Sequence, residues 1–196
     1  GGDKTTGIVA ADNGYASVRT DVRDMLPVNV ELKKESNGKG SAGNYWNLAN
    51  PVDGSNYIVE SANTYIISGP GYYRIPLVYG NGVKNNNVNN GSYYTTINNY
   101  YSLQNLTDHL DNPIHTPYIN QQNNANPAVQ ASTVWMDYPN MVENSTLHIK
   151  NYGGVDFVEF QIKKENIQNG NAVIAVKDRN GVVMWSWQLW FTTRDA

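Results

Sequence analysis

Cysteine is absent from all 196 residues. Its absence excludes a disulfide scaffold, a thiol nucleophile and any Cys-ligated zinc. It leaves the redox compartment open, because a Cys-free chain tolerates oxidising and reducing surroundings alike. Charge is also scarce, at 16% of residues, where an average soluble domain has roughly 25%. The net charge is −3, and Lys and Arg are scattered, adjacent only at Lys33-Lys34 and Lys163-Lys164. No basic face is offered to a phosphate backbone, so no nucleic-acid partner is expected. Apolar runs long enough for a membrane-spanning helix are missing as well. Nucleophile-elbow, phosphate-loop, zinc and EF-hand spacings do not occur, so we expect no enzyme, no cofactor and no metal.

What is present points to β structure. The chain holds 29 Asn, 17 Gly and 14 Tyr, with six Asn-Gly pairs beginning at Asn13, Asn37, Asn81, Asn90, Asn169 and Asn180. Asn-Gly accepts the positive φ of two-residue hairpins. Between the turns lie short runs of Val, Ile, Tyr, Thr and Trp, which suit a pleated, half-buried surface. A chain of this length buries roughly 70% of its unfolded surface and needs no cross-links to be stable.

The clearest expectation is a C-terminal hairpin, with strands over 172–177 and 182–192 around Asp178-Arg179-Asn180-Gly181. Period 2 puts Val183, Trp185, Trp187, Leu189 and Phe191 on one face and Met184, Ser186, Gln188, Trp190 and Thr192 on the other. This predicts a central core strand with Trp185 and Trp187 inside. A second hairpin is expected from 64–68 and 72–79 around Gly69-Pro70-Gly71, its return strand at an edge or bulged because Pro76 donates no ladder bond. Further strands are predicted over 28–33, 57–60, 133–138, 146–150 and 157–163. Leu103, Leu106 and Leu110 recur at helical spacing and predict one short helix ended by Asn112-Pro113. Residues 84–91 and 112–131 read as long Asn-rich loops. The expected architecture is an all-β, antiparallel β-sandwich (immunoglobulin- or transthyretin-like) over residues 26–196, a closed barrel being the alternative. Residues 1–25 form an N-terminal extension.

Candidate contact residues are aromatic. Indole and phenol rings stack on the CH-rich faces of sugars while amides read the hydroxyls. Tyr93, Tyr94, Tyr100 and Tyr101 flank the polar loop, and Trp190 points away from the predicted core. These five are the expected ligand contacts. Asp108-His109-Leu110-Asp111 sets two carboxylates beside an imidazole, but neighbours along a helix do not converge, so a solvated helix face is expected. Asp21/Asp24 and Asp108/Asp111 suit glycoside hydrolysis only if brought across a cleft. His148 is expected at the surface.

Two blocks carry a resemblance. Ser61-Ala62-Asn63-Thr64-Tyr65-Ile66-Ile67-Ser68-Gly69-Pro70-Gly71-Tyr72-Tyr73, followed by Pro76-Leu77-Val78-Tyr79-Gly80-Asn81, is one. Gly170-Asn171-Ala172-Val173-Ile174-Ala175-Val176-Lys177-Asp178, followed by Met184-Trp185-Ser186-Trp187-Gln188-Leu189-Trp190, is the other, with Trp135-Met136-Asp137 between them. Over about residues 46–193 the chain resembles the fimbrillin-related cell-surface adhesins of anaerobic gut and oral bacteria. It departs at Thr64, where relatives often carry Cys, and at Gln188, where they often carry His. The resemblance implies a non-enzymatic, exported protein of the cell surface or outer membrane, a fimbrial tip or accessory subunit or an adhesion module. Its expected partners are other pilus subunits joined by strand addition, or host and matrix glycans and proteins. Membrane contact would come only through a lipid anchor upstream. The segment 20–34 or the C-terminal strand is expected to donate or accept the added strand. The other function class considered is a glycan-binding surface lipoprotein module.

Overall fold

The computed structural model of the chain describes residues 26–92 and 106–193. In chain order its elements are α1 (Pro27–Leu32), β1 (Trp46–Asn47), β2 (Thr64–Ile67), β3 (Gly71–Pro76), β4 (Val83–Lys84), β5 (Asn87–Val88), α2 (Ile119–Gln122), β6 (Gln130–Met136), β7 (His148–Tyr152), β8 (Val155–Ile162), β9 (Gly170–Lys177) and β10 (Val183–Phe191). One four-stranded sheet has the order β1-β3-β8-β7, a second β2-β10-β9-β6, and β4-β5 is a small ribbon. The protein is β-rich, as its composition implies. The sheets are mixed rather than purely antiparallel: β1 runs parallel to β3, and β2 parallel to β10.

The parallel pairs come from one topological correction. β2 and β3 are not a hairpin but lie in different sheets. The Gly69-Pro70-Gly71 crossing packs on the 37–39 segment. Lys39 bridges Gly71, and Tyr72 donates its N–H to the Lys39 carbonyl at 2.9 Å. A Cβ on Gly69 would stand 2.4 Å from the Asn37 carbonyl carbon, so the approach requires glycine. Pro76 ends β3, an interior strand. β1 reaches only Tyr73 and Arg74, so the proline sits where no ladder bond to β1 is needed.

Strand alternation gives each sheet one face to a common hydrophobic cluster. Tyr73 and Ile75 of β3 join Val158, Phe160 and Ile162 of β8. Tyr65 and Ile67 of β2 join Ala172, Ile174 and Val176 of β9 and Trp187, Leu189 and Phe191 of β10. Each such side chain contributes roughly 1.5–3 kcal/mol on burial. β10 is the expected central strand, between β2 and β9, with one change. A bulge between Val183 and Trp185 resets the alternation, so Met184 is buried and Val183 exposed. Trp187 is fully buried, whereas Trp185 is half-buried, edge-on to Tyr79 at 5.2 Å, with its Nε1 donating to Asn63 Oδ1 at 3.1 Å.

Other expectations change too. Residues 27–32 are helical, not extended, because Pro27 presets the first helical φ and Asn29 and Leu32, three apart, share the buried side. Residues 57–60 form no strand beyond a bridge from Glu60 to Lys84. The short helix fails where it can be seen: Thr107 bridges Pro113, and Leu106 and Leu110 are exposed. Asp108 explains this, accepting the N–H of Leu110 and Asn112 at 2.9 and 3.0 Å and folding the segment into a turn. Hairpin turns with two positive φ values are made by Asn85-Asn86 (51° and 60°) and Gly153-Gly154 (60° and 91°). Among Asn-Gly pairs in the described residues, only Asn180-Gly181 turns a hairpin, with Gly181 at φ 79°. The Asn-rich stretch 112–131 contains α2 and is pinned by its amides. Asn123 Nδ2 donates to Tyr79 Oη at 2.9 Å, and Asn120 Nδ2 to Asp156 Oδ2 at 2.8 Å. Among the described residues no helix is long and apolar enough to cross a membrane.

Candidate functional site

The second sheet turns one face to the core and leaves the other open. Its cross-strand register places Ile66, Trp190 and Asn171 on one rung, and Thr64, Gln188, Val173 and Trp135 on the next. Directly paired residues share a face. Trp190 is 42% exposed, Trp135 53% and Ile66 49%. Polar side chains between them are linked in series. Thr64 Oγ1 donates to Gln188 Oε1 (3.1 Å), Gln188 Nε2 to Asn171 Oδ1 (2.8 Å) and Asn171 Nδ2 to Asp137 Oδ2 (3.3 Å). The Asn171 backbone N–H also donates to Asp137 Oδ2 at 2.7 Å. Thr64 and Gln188 are therefore register partners on this open face.

β2 is also an edge. The carbonyls of Asn63 and Ile67 accept from Gln188 and Thr192 of the β10 side, at 2.8 and 3.2 Å. Alternation then turns the N–H and C=O of Thr64 and Ile66 the other way, where no described strand pairs with them. Beneath this edge runs a cleft of about 480 Å³, lined by Trp46, Leu48, Ala62, Tyr65, Ile66 and Tyr73 among others. The loop after β1 shapes it. Gly54, at φ 68°, lies so close to the Trp46 indole that a Cβ would be 2.3 Å from ring carbons. The opposite edge of the sheet, β6, is closed by a bulge between Thr133 and Trp135 and by Asn144 Oδ1, which accepts the Thr133 N–H at 2.7 Å.

The other candidates fall elsewhere. Tyr93, Tyr94, Tyr100, Tyr101, Asp21 and Asp24 lie outside the described residues. Asp108 and His109 are not a solvated helix face. Asp108 is buried, and the His109 side chain is buried with Nε2 3.5 Å from Asp178 Oδ2. Both His109 ring nitrogens lack a hydrogen-bond partner among the described residues. Burial pushes the Asp178 carboxyl up, but the Val182 N–H, the Asn126 amide, the Asn180 N–H and His109 outweigh it and hold it below the ordinary value. The loop and the β9–β10 turn are thereby latched together. His148 is at the surface as expected, its Nε2 2.9 Å from Glu159. Among the described residues no three His, Cys, Asp or Glu come together as metal ligands.

Of the five predicted contacts, the described residues include Trp190 alone, and it is exposed. Sequence reasoning missed Ile66, Gln188 and Asn171 as its companions, and named Trp135 only within the sequence blocks that carry the resemblance. The alternation within β10 already puts Gln188 and Trp190 on one face. The partners across strands needed the register. Comparison with family models, with curated proteins and with solved structures finds no match to this chain.

Proposed function

We propose that the chain is a non-enzymatic, exported surface module, a fimbrial accessory subunit or adhesion domain, built as a β-sandwich of the immunoglobulin or transthyretin kind. The sandwich reading is supported by the single hydrophobic cluster shared by both sheets, by the approach of β6 to β7, and by Tyr65 and Tyr73 lining one cleft from different sheets. The functional reading rests on the fimbrillin-like sequence blocks and on one structural observation: β2 presents an unpaired edge above a cleft lined by aromatic and apolar side chains, with Lys39 and Glu60 among them.

That edge replaces the segments expected from sequence. Residues 27–32 are helical and β10 is interior, so neither offers an extended edge within the described residues; residues 20–25 lie outside them. β2 is the acceptor. An incoming strand pairs with the outward N–H and C=O of Thr64 and Ile66 and drops alternate side chains between Trp46, Tyr65 and Tyr73. A photo-crosslinker at Thr64 in cells tests this. The expected product is a defined adduct to an extended terminal segment of another surface subunit, on protein that external protease removes from intact cells. Protein confined to the periplasm or cytoplasm would overturn the reading.

A further inference from the structure

We propose that the open face of the β2-β10-β9-β6 sheet is a binding platform for an uncharged polysaccharide, lying diagonally across the strands from Trp190 to Trp135. Strand spacing and rise put these two Cα atoms about 12 Å apart, two strands over and two residues along. That is the span of a short oligosaccharide rather than of one sugar. The face adjoins the strand-acceptor cleft, and Thr64 and Ile66 of β2 border both.

Three features select the ligand. First, two indoles and Ile66 stand exposed on two adjacent rungs whose other members are Thr64, Gln188, Asn171 and Val173. Aromatic rings stack on the apolar CH faces of pyranoses. Second, the amides between the indoles are held in place before any ligand arrives. In the Thr64–Gln188–Asn171–Asp137 series each amide spends one donor and one acceptor on its neighbours. Each keeps a second N–H and a second lone pair. A hydroxyl both donates and accepts, so a sugar OH satisfies such a pair. The fixed rotamers lower the ordering cost of binding. Third, no Lys, Arg or Glu lies on the two rungs joining Trp190 to Trp135, and the one carboxylate at the margin, Asp137, is engaged by Asn171. A charged glycan would find no counter-charge there. A protein partner fits less well. Its hot spots want contiguous, desolvated apolar surface, whereas here the amides of Asn171 and Gln188 interrupt the apolar surface around Trp190 and Trp135.

Affinity electrophoresis through gels containing xylan, galactomannan, mixed-linkage β-glucan or yeast mannan tests the platform. Polygalacturonate and chondroitin sulfate serve as charged controls. The expected result is retardation by at least one neutral polymer and insensitivity to salt. Trp190→Ala and Trp135→Ala each weaken it about tenfold, and Gln188→Ala weakens it less. Far-ultraviolet circular dichroism and a cooperative melting transition confirm that each variant is folded, and the two indoles provide independent tests. Binding should also blue-shift tryptophan fluorescence in the wild type and less in either Trp variant. No retardation by any neutral polymer would overturn the proposal, as would retardation that both Trp variants preserve or that only the charged polymers produce. Self-association in sedimentation that Trp190→Ala abolishes, without sugar retention, would assign the face to a second copy instead. Each of these failures leaves crosslinking at Thr64 unaffected.

Discussion

The two sheets treat their non-core faces in opposite ways. On β1-β3-β8-β7 that face is covered. Phe157 is fully buried there, beside Arg74 at 4% and Glu159 at 1% exposure. The Arg74 guanidinium lies over the rings of Tyr152 and Phe157, 4.7 and 5.2 Å from their centroids, and donates to the Gly54 carbonyl at 3.4 Å. Glu159 accepts from Tyr152 Oη at 2.5 Å and contacts His148 Nε2 at 2.9 Å, while Tyr45 stands edge-on to Tyr72 and His148. On β2-β10-β9-β6 the corresponding face is a bare lattice of indoles and amides. A charged pair of strands has thus been roofed by aromatic rings, and a neutral, aromatic one left open. Burial on the first face serves stability. Exposure on the second leaves hydrogen-bonding capacity unspent, which is the condition for recognition.

The covered face should behave as a second core. Phe157→Ala is expected to cost about 3–5 kcal/mol, as much as Phe160→Ala on the true core face, measured by denaturant unfolding. A cost near that of a surface change would mean the roof is loose and the contrast false. Glu159→Ala should cost about 2 kcal/mol, because the Tyr152 hydroxyl loses its acceptor inside a buried cluster. His148→Ala, which removes the exposed partner, should cost distinctly less. The hairpin that builds the open face has its own acid sensitivity. The folded Asp178 carboxyl titrates below its ordinary value of 3.8. Its stabilisation is complete above the unfolded value and is lost as pH falls through the lower folded value. Asp178→Asn should therefore lower the melting temperature at neutral pH, and the gap to wild type should close in strong acid. A gap that stays constant with pH would remove the carboxylate's charge from the explanation.

This contrast was only half legible in the sequence. Alternation in 182–192 assigned Trp187 to the core and Trp190 to the outside without help, since period 2 survives any topology. It failed at Val183 because a bulge inserts a residue that no propensity marks. The 64–79 segment was read as a hairpin because two apolar-faced strands joined by Gly-Pro-Gly look the same whether they pair side by side or lie in different sheets. That ambiguity hid the parallel β2–β10 pair, and with it the alignment of Thr64 with Gln188 and of Ile66 with Trp190. The covered face was invisible for a related reason. Arg74 and Glu159 read as ordinary polar positions, and only the register that sets them side by side, together with the return of Tyr152 over them, explains their burial. The amide count was read as loop composition, yet Asn120, Asn123, Asn126 and Asn171 each hold elements together.

The smallest effect is the most informative about the open face. Trp190→Ala and Trp135→Ala should each change stability by no more than about 0.5 kcal/mol, the range for surface substitutions that leave no cavity. Their Cα atoms are about 12 Å apart, so the double variant should be additive to within about 0.3–0.5 kcal/mol. Trp187, three residues from Trp190 in the same strand, supplies the internal scale, since its loss opens a core cavity. The comparison is close because residue type and strand are shared while the face differs. If Trp190→Ala destabilised the isolated protein as Trp187→Ala does, some part of the chain would be covering the indole, and the face could not receive a ligand without first being uncovered. A near-zero stability cost joined to a loss of polysaccharide retention is the pairing that only a recognition surface produces.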